Sequence, residues 1–138
     1  MQLKKISRIV AVSGLIMLSQ ASFAEEKMVF KNGKGSVLEL SSTKEGALTG
    51  YFTTAVASKE CQQVIGQKRP VVGFLTGNAF TISIDYPDCG SALSIVGNLG
   101  KDNKTLDTTW VVVHQAAVQR KKDLGARFMG HNTYHRIS

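Results

Sequence analysis

Apolar and polar residues alternate along much of the chain in short stretches. Phe80, Ile82 and Ile84 share one parity and Thr81, Ser83 and Asp85 the other, the period-two pattern of a strand with one dry face and one wet face. Glycine and polar breaks recur about every ten residues, and the stretches between them are rich in Val, Ile, Thr, Phe and Tyr. No run of ten or more residues carries a helical period. The pattern predicts eight strands, near 28–32, 36–42, 47–57, 69–76, 78–86, 91–99, 105–114 and 126–137. Turn residues separate them: Asn32-Gly33-Lys34-Gly35, Lys44-Glu45-Gly46, Thr76-Gly77-Asn78 and Gly100-Lys101-Asp102-Asn103-Lys104. Breaks of that kind favour hairpins between sequence neighbours.

A small antiparallel sheet with one apolar face buries that face and loses its edges by closing on itself. The expected fold is therefore all-β, an eight-stranded antiparallel up-and-down barrel, with a two-sheet sandwich as the alternative. A barrel of eight strands is either filled by its own side chains or holds one small ligand.

Composition narrows the class. At 138 residues, 43% hydrophobic and 20% charged, the chain fits one globular domain. Lys4, Lys5 and Arg8 precede an apolar run over 9–18, and Ser22, Phe23 and Ala24 end in a small-residue pattern. Residues 1–24 read as a signal peptide cleaved after Ala24, leaving 25–138 as a secreted or periplasmic domain. The apolar run is too short for a membrane span. Losing Lys4, Lys5 and Arg8 takes the formal charge from +7 to +4, scattered over the chain, which argues against a nucleic-acid partner.

Several segments in order and spacing carry a resemblance. They are Phe30-Lys31-Asn32-Gly33-Lys34-Gly35-Ser36, Leu48-Thr49-Gly50-Tyr51-Phe52-Thr53-Thr54-Ala55-Val56, Asn78-Ala79-Phe80-Thr81-Ile82-Ser83-Ile84, Gly97, Leu106-Asp107-Thr108-Thr109-Trp110 and Gly130-His131-Asn132-Thr133-Tyr134-His135-Arg136. Together they resemble the avidin and streptavidin family over essentially the whole of 25–138. The resemblance implies a biotin-binding type of barrel that associates into dimers or tetramers, with biotin as ligand and no cofactor. Cys61 and Cys89 fall in the loops between strands three and four and between strands five and six, at the same open end. This looks like the dimeric, rhizavidin-like branch, in which a disulfide ties those loops beside the ligand; two free or intermolecular cysteines are the alternative.

The resemblance also implies site residues. Asn32, Ser36, Phe52, Thr54 and Asn132 correspond to the positions that meet the ureido head of biotin. Asn32, Ser36 and Asn132 keep groups able to pair with a carbonyl oxygen or a ring N–H, although Asn32 and Ser36 also suit a turn cap and a strand start. Phe52 stands where the family usually has tyrosine, and a missing hydroxyl contact in a dry site costs about 1–3 kcal/mol. Trp110 alone matches a tryptophan of the aromatic box, while Phe30, Ile84 and Ile95 replace others and Leu93 replaces a threonine. Ser91 matches a hydroxyl near the tail carboxylate. Leu124 stands where tetrameric members lend a tryptophan to a neighbour, in keeping with a homodimer. So altered a box is compatible with weakened biotin binding, with another small ligand or with a filled core.

Enzymatic readings find little support. His131 and His135 sit on one strand face but roughly 13 Å apart, too far to chelate one metal, and all three histidines, His114 included, read as surface or rim residues. Asp85, Asp88 and Glu60 could gather at the open loops, yet spacing gives no catalytic carboxylate pair and no serine paired with histidine. Arg120, Lys121 and Lys122 read as a solvated hairpin loop. The expected function is non-catalytic capture of biotin or a biotin-like small molecule; the alternative is a structural or protein-interaction barrel that has lost its ligand.

Overall fold

Eight antiparallel strands pair in chain order and the last returns to the first, forming a closed barrel. The computed structural model describes residues 25–116 and 125–138. The strands are β1 (Glu26–Asn32), β2 (Val37–Ser42), β3 (Ala47–Thr53), β4 (Lys68–Thr76), β5 (Ala79–Tyr86), β6 (Ser91–Leu99), β7 (Thr105–His114) and β8 (Arg127–Arg136). This is the meander that the turn residues predict, and the sandwich alternative is excluded. The expected signal peptide, the Arg120-Lys121-Lys122 cluster and Leu124 lie outside the described residues.

Strand three stops earlier than its composition suggests. It ends at Thr53, and the Thr54 hydroxyl donates to the Val56 carbonyl at 2.6 Å, a local turn that competes with the ladder. The chain then forms a short 3-10 helix, Lys59–Val64, and a second one, Pro87–Cys89, joins β5 to β6. Both are too short to leave a periodic signature in sequence.

Closure rests on the β1–β8 seam, where Phe30, Lys31 and Asn32 pair with Arg136, His135 and Tyr134. Val29 extends it by donating to the Ser138 carbonyl at 3.0 Å and accepting from the Ile137 N–H at 2.8 Å. On β5 the alternation is strict: Phe80, Ile82, Ile84 and Tyr86 are buried, and Ala79, Thr81, Ser83 and Asp85 are exposed. The same inward parity on other strands brings Met28, Phe30, Leu38, Leu40, Leu48, Phe80, Ile82, Leu99 and Leu106 into one apolar core. Those nine fill the end of the barrel closed by the short β2–β3, β4–β5 and β6–β7 connections. Gly50 permits close strand approach there, since at its φ of +145° a Cβ would lie 1.9 Å from the Glu39 carbonyl oxygen.

The opposite end carries the long β3–β4 connection. Cys61 and Cys89 form a disulfide with Cα atoms 5.8 Å apart, tying the β3–β4 loop to the β5–β6 loop. Within the first of these loops the Gly66 N–H also donates to the Thr54 carbonyl at 3.0 Å, clasping the loop at its base. Cross-linking positions 28 apart removes freedom from the unfolded chain. Replacing both cysteines with serine is expected to lower unfolding stability by about 3 kcal/mol, as read by urea titration, while the far-ultraviolet signature of the barrel is retained.

Candidate functional site

A cavity of about 440 Å³ opens at the looped end of the barrel. Nine of the eleven residues expected to meet a ligand line it: Asn32, Ser36, Phe52, Thr54, Ser91, Leu93, Ile95, Trp110 and Asn132. Phe30 and Ile84 do not. They are 0% and 2% exposed and belong to the packed core, because Phe30 lies one inward step nearer the closed end than Asn32. On β5 the cavity position is taken by Tyr86, one inward step beyond Ile84.

The polar groups at the inner end are held by the fold. Asn32 Oδ1 accepts from the backbone N–H groups of Lys34 at 3.1 Å and Ser36 at 3.0 Å, closing the β1–β2 turn. That bond is the turn-cap role its neighbours suggest, and it fixes the amide in place at the cavity. Ser36 Oγ accepts from the Ala55 N–H at 2.9 Å and keeps its own proton to donate. The Thr54 hydroxyl donates to Val56, so toward the cavity it can only accept. With its oxygen turned toward the indole, Asn132 accepts from Trp110 Nε1–H at 3.3 Å and donates through Nδ2 to the His131 carbonyl at 3.0 Å. Thr108, buried below it, donates to the Asn132 backbone carbonyl at 2.7 Å.

Two tyrosines extend this set. Tyr134, 1% exposed, points inward at the β1–β8 seam, where it pairs with Asn32. Burial raises its pKa, and hydrogen bonding from the Asn32 side chain offsets part of the rise. Tyr86 is pushed up to about 12 by burial, with the nearby Arg69 guanidinium working the other way. Alternation already places both tyrosines inward, Tyr86 with Ile84 and Tyr134 with Asn132, and that parity is the signal by which sequence could have nominated them.

At the mouth the lining is mostly apolar, with Val56, Ala57, Val64, Val112 and Phe128 beside the disulfide. His114 also lines it, and its ring meets Phe128 edge-on at 5.9 Å between centroids. Lys34 and His114 are the basic residues of the wall, and no acidic residue lines it among the described residues. No group of three metal-binding side chains occurs among them either, and no helix among them is long and apolar enough to cross a membrane. The arrangement suits a small uncharged polar head set deep, with an apolar body behind it.

The avidin family model matches residues 21–137, nearly the whole chain. The chain belongs to the avidin family. Among solved structures, this avidin-family barrel is similar to core-bradavidin, at 25% identity over 80% of this chain and 99% of that one, with a TM-score of 0.65. It is also similar to the rhizavidin–biotin complex, at 18% identity, 86% and 98% coverage and a TM-score of 0.68. The bradavidin2–biotin complex matches at 22% identity, 80% and 96% coverage and a TM-score of 0.65. A search of curated protein sequences finds no match.

The raised tyrosine pKa values give a pH dependence with a definite sign. An unfolded Tyr86 ionises around 10.0, whereas the folded one holds its proton until about 12. Its contribution to stability is complete below pH 10 and is lost as pH rises through 12. Urea midpoints are expected to fall above pH 10, and Tyr86→Phe to flatten that fall, with phenolate absorbance following the same titration.

Proposed function

We propose that the protein is a non-catalytic binder that captures biotin in the barrel cavity, with an affinity weakened by the altered aromatic box. The observation that carries this reading is the convergence of Asn32, Ser36, Thr54 and Asn132 with Trp110 on one cavity of an avidin-family barrel. An uncharged urea presents one oxygen acceptor and two N–H donors. Ser36 Oγ–H and the Asn32 amide nitrogen supply donors for the oxygen, and Thr54 Oγ1 and Asn132 Oδ1 supply acceptors for the N–H groups. The volume lies within the range of about 300–1,000 Å³ usual for small-molecule sites, which favours capture over a filled interior. Two similar structures, rhizavidin and bradavidin2, are complexes with biotin.

The weakening follows from three positions. Phe52 brings no hydroxyl to the urea, and Trp110 is the single tryptophan of the chain, leaving Leu93 and Ile95 as smaller walls. We further propose a homodimer that covers the outer face of β4 to β8. Val72 and Phe74 are each 64% exposed there and Met129 71%, with Val96 and Val113 beside them, an apolar surface that a second copy would bury. Residues 1–24 support export to a secreted or periplasmic location, where the Cys61–Cys89 bridge would persist.

Isothermal titration with biotin tests the reading. One ligand per chain is expected, with Asn132→Ala weakening binding at least tenfold and Phe52→Tyr tightening it about tenfold by returning a donor to the cavity. Absence of heat at high protein concentration would overturn biotin as the ligand. Sedimentation velocity of the same sample is expected to give a dimer.

A further inference from the structure

One polar group on the cavity wall is left without a partner by the barrel itself. Tyr86 closes β5 with its ring on the cavity and only 6% exposed. Among the described residues, its hydroxyl is the buried side-chain polar atom that meets no hydrogen-bonding group. Asn32, Ser36, Thr54 and Asn132 all have internal partners. An orphaned hydroxyl destabilises the empty barrel, and phenylalanine would fill the same space without that penalty. Something outside the chain is therefore the natural recipient of its proton.

Register sets the place of this hydroxyl. Tyr86 pairs with Ser91, and Ser91 with His114, both on the cavity wall. On the other side Phe52 pairs with Arg69, and the Val71–Ile84 register carried two residues further sets Arg69 opposite Tyr86. Phe52 and Tyr86 thus occupy one rung of the barrel, two strands apart. Arg69 between them directs its Nε–H to the Asp85 carbonyl at 2.8 Å and offers no acceptor. The described wall has no carboxylate to take the proton either.

We propose that Tyr86 is a specificity-determining contact whose hydroxyl donates to a carbonyl-type oxygen of the ligand held in the cavity, supplying from β5 the donor that Phe52 lacks on β3. The inference rests on the cavity being a ligand site, and it narrows the ligand to one that brings an oxygen acceptor to this rung. Because burial pushes the phenol up to about 12, it stays protonated, and a donor, at neutral and mildly alkaline pH.

The test is Tyr86→Phe in the full chain, followed by thermal unfolding without ligand and by titration with biotin and with biotinamide. The expected result is an unliganded melting midpoint equal to or above that of the wild type, together with about tenfold weaker binding. An equal loss for both ligands puts the acceptor on the ureido group, and a loss confined to free biotin puts it on the tail carboxylate; both support the contact. A clearly lower unliganded midpoint would reveal an internal partner and overturn the proposal. Equal affinities of wild type and variant overturn the contact alone, whereas silence from the wild type overturns the biotin reading and this contact with it.

Discussion

Closure of β1 onto β8 is the constraint on which everything else here depends. Three paired residues and the Val29 backbone bonds complete the cylinder, so no strand keeps an open edge and each strand must commit one parity to the inside. The interior is then divided along its axis. Bulky apolar side chains fill one end, and at the other the wall is left with Phe52, Leu93, Ile95 and Trp110 around space. The seam also pairs Asn32 with Tyr134, two residues along β8 from Asn132, and both asparagines line the cavity, so its polar floor is a by-product of shutting the barrel.

That floor shows how structural and binding roles share single side chains. Asn32 holds the β1–β2 turn with its oxygen and leaves its nitrogen half for Tyr134 or a ligand. Ser36 anchors Ala55 and keeps a proton, while Thr54 gives up its proton to end β3 and keeps a lone pair. Each group reaches the cavity with one hydrogen-bonding sense already fixed. Fixed donors and acceptors discriminate among ligands more sharply than free rotors, because a mismatched group finds no alternative orientation.

Much of this was legible in the sequence. Period-two alternation and turn residues gave strand positions within a few residues, and the resemblance carried Asn32, Ser36, Thr54, Trp110 and Asn132 to one cavity. What alternation could not supply was height along the barrel. It says that Phe30, Ile84, Tyr86 and Tyr134 all point inward, but strand stagger decides which of them meet the cavity and which sink into the core. Stagger sends Phe30 and Ile84 into the core and brings Tyr86 to the cavity wall. Strand three overran because a threonine hydroxyl bonding its own backbone looks, in sequence, like one more β-branched residue.

The clasped β3–β4 loop carries one more consequence. Its base is held by the Gly66–Thr54 bond and its middle by the disulfide, so this loop is set before any ligand arrives. A guest does not have to freeze this loop, and the conformational entropy its ordering would cost on association is already absent from the unliganded state. The heat-capacity change on complex formation then carries no contribution from that loop folding around its guest.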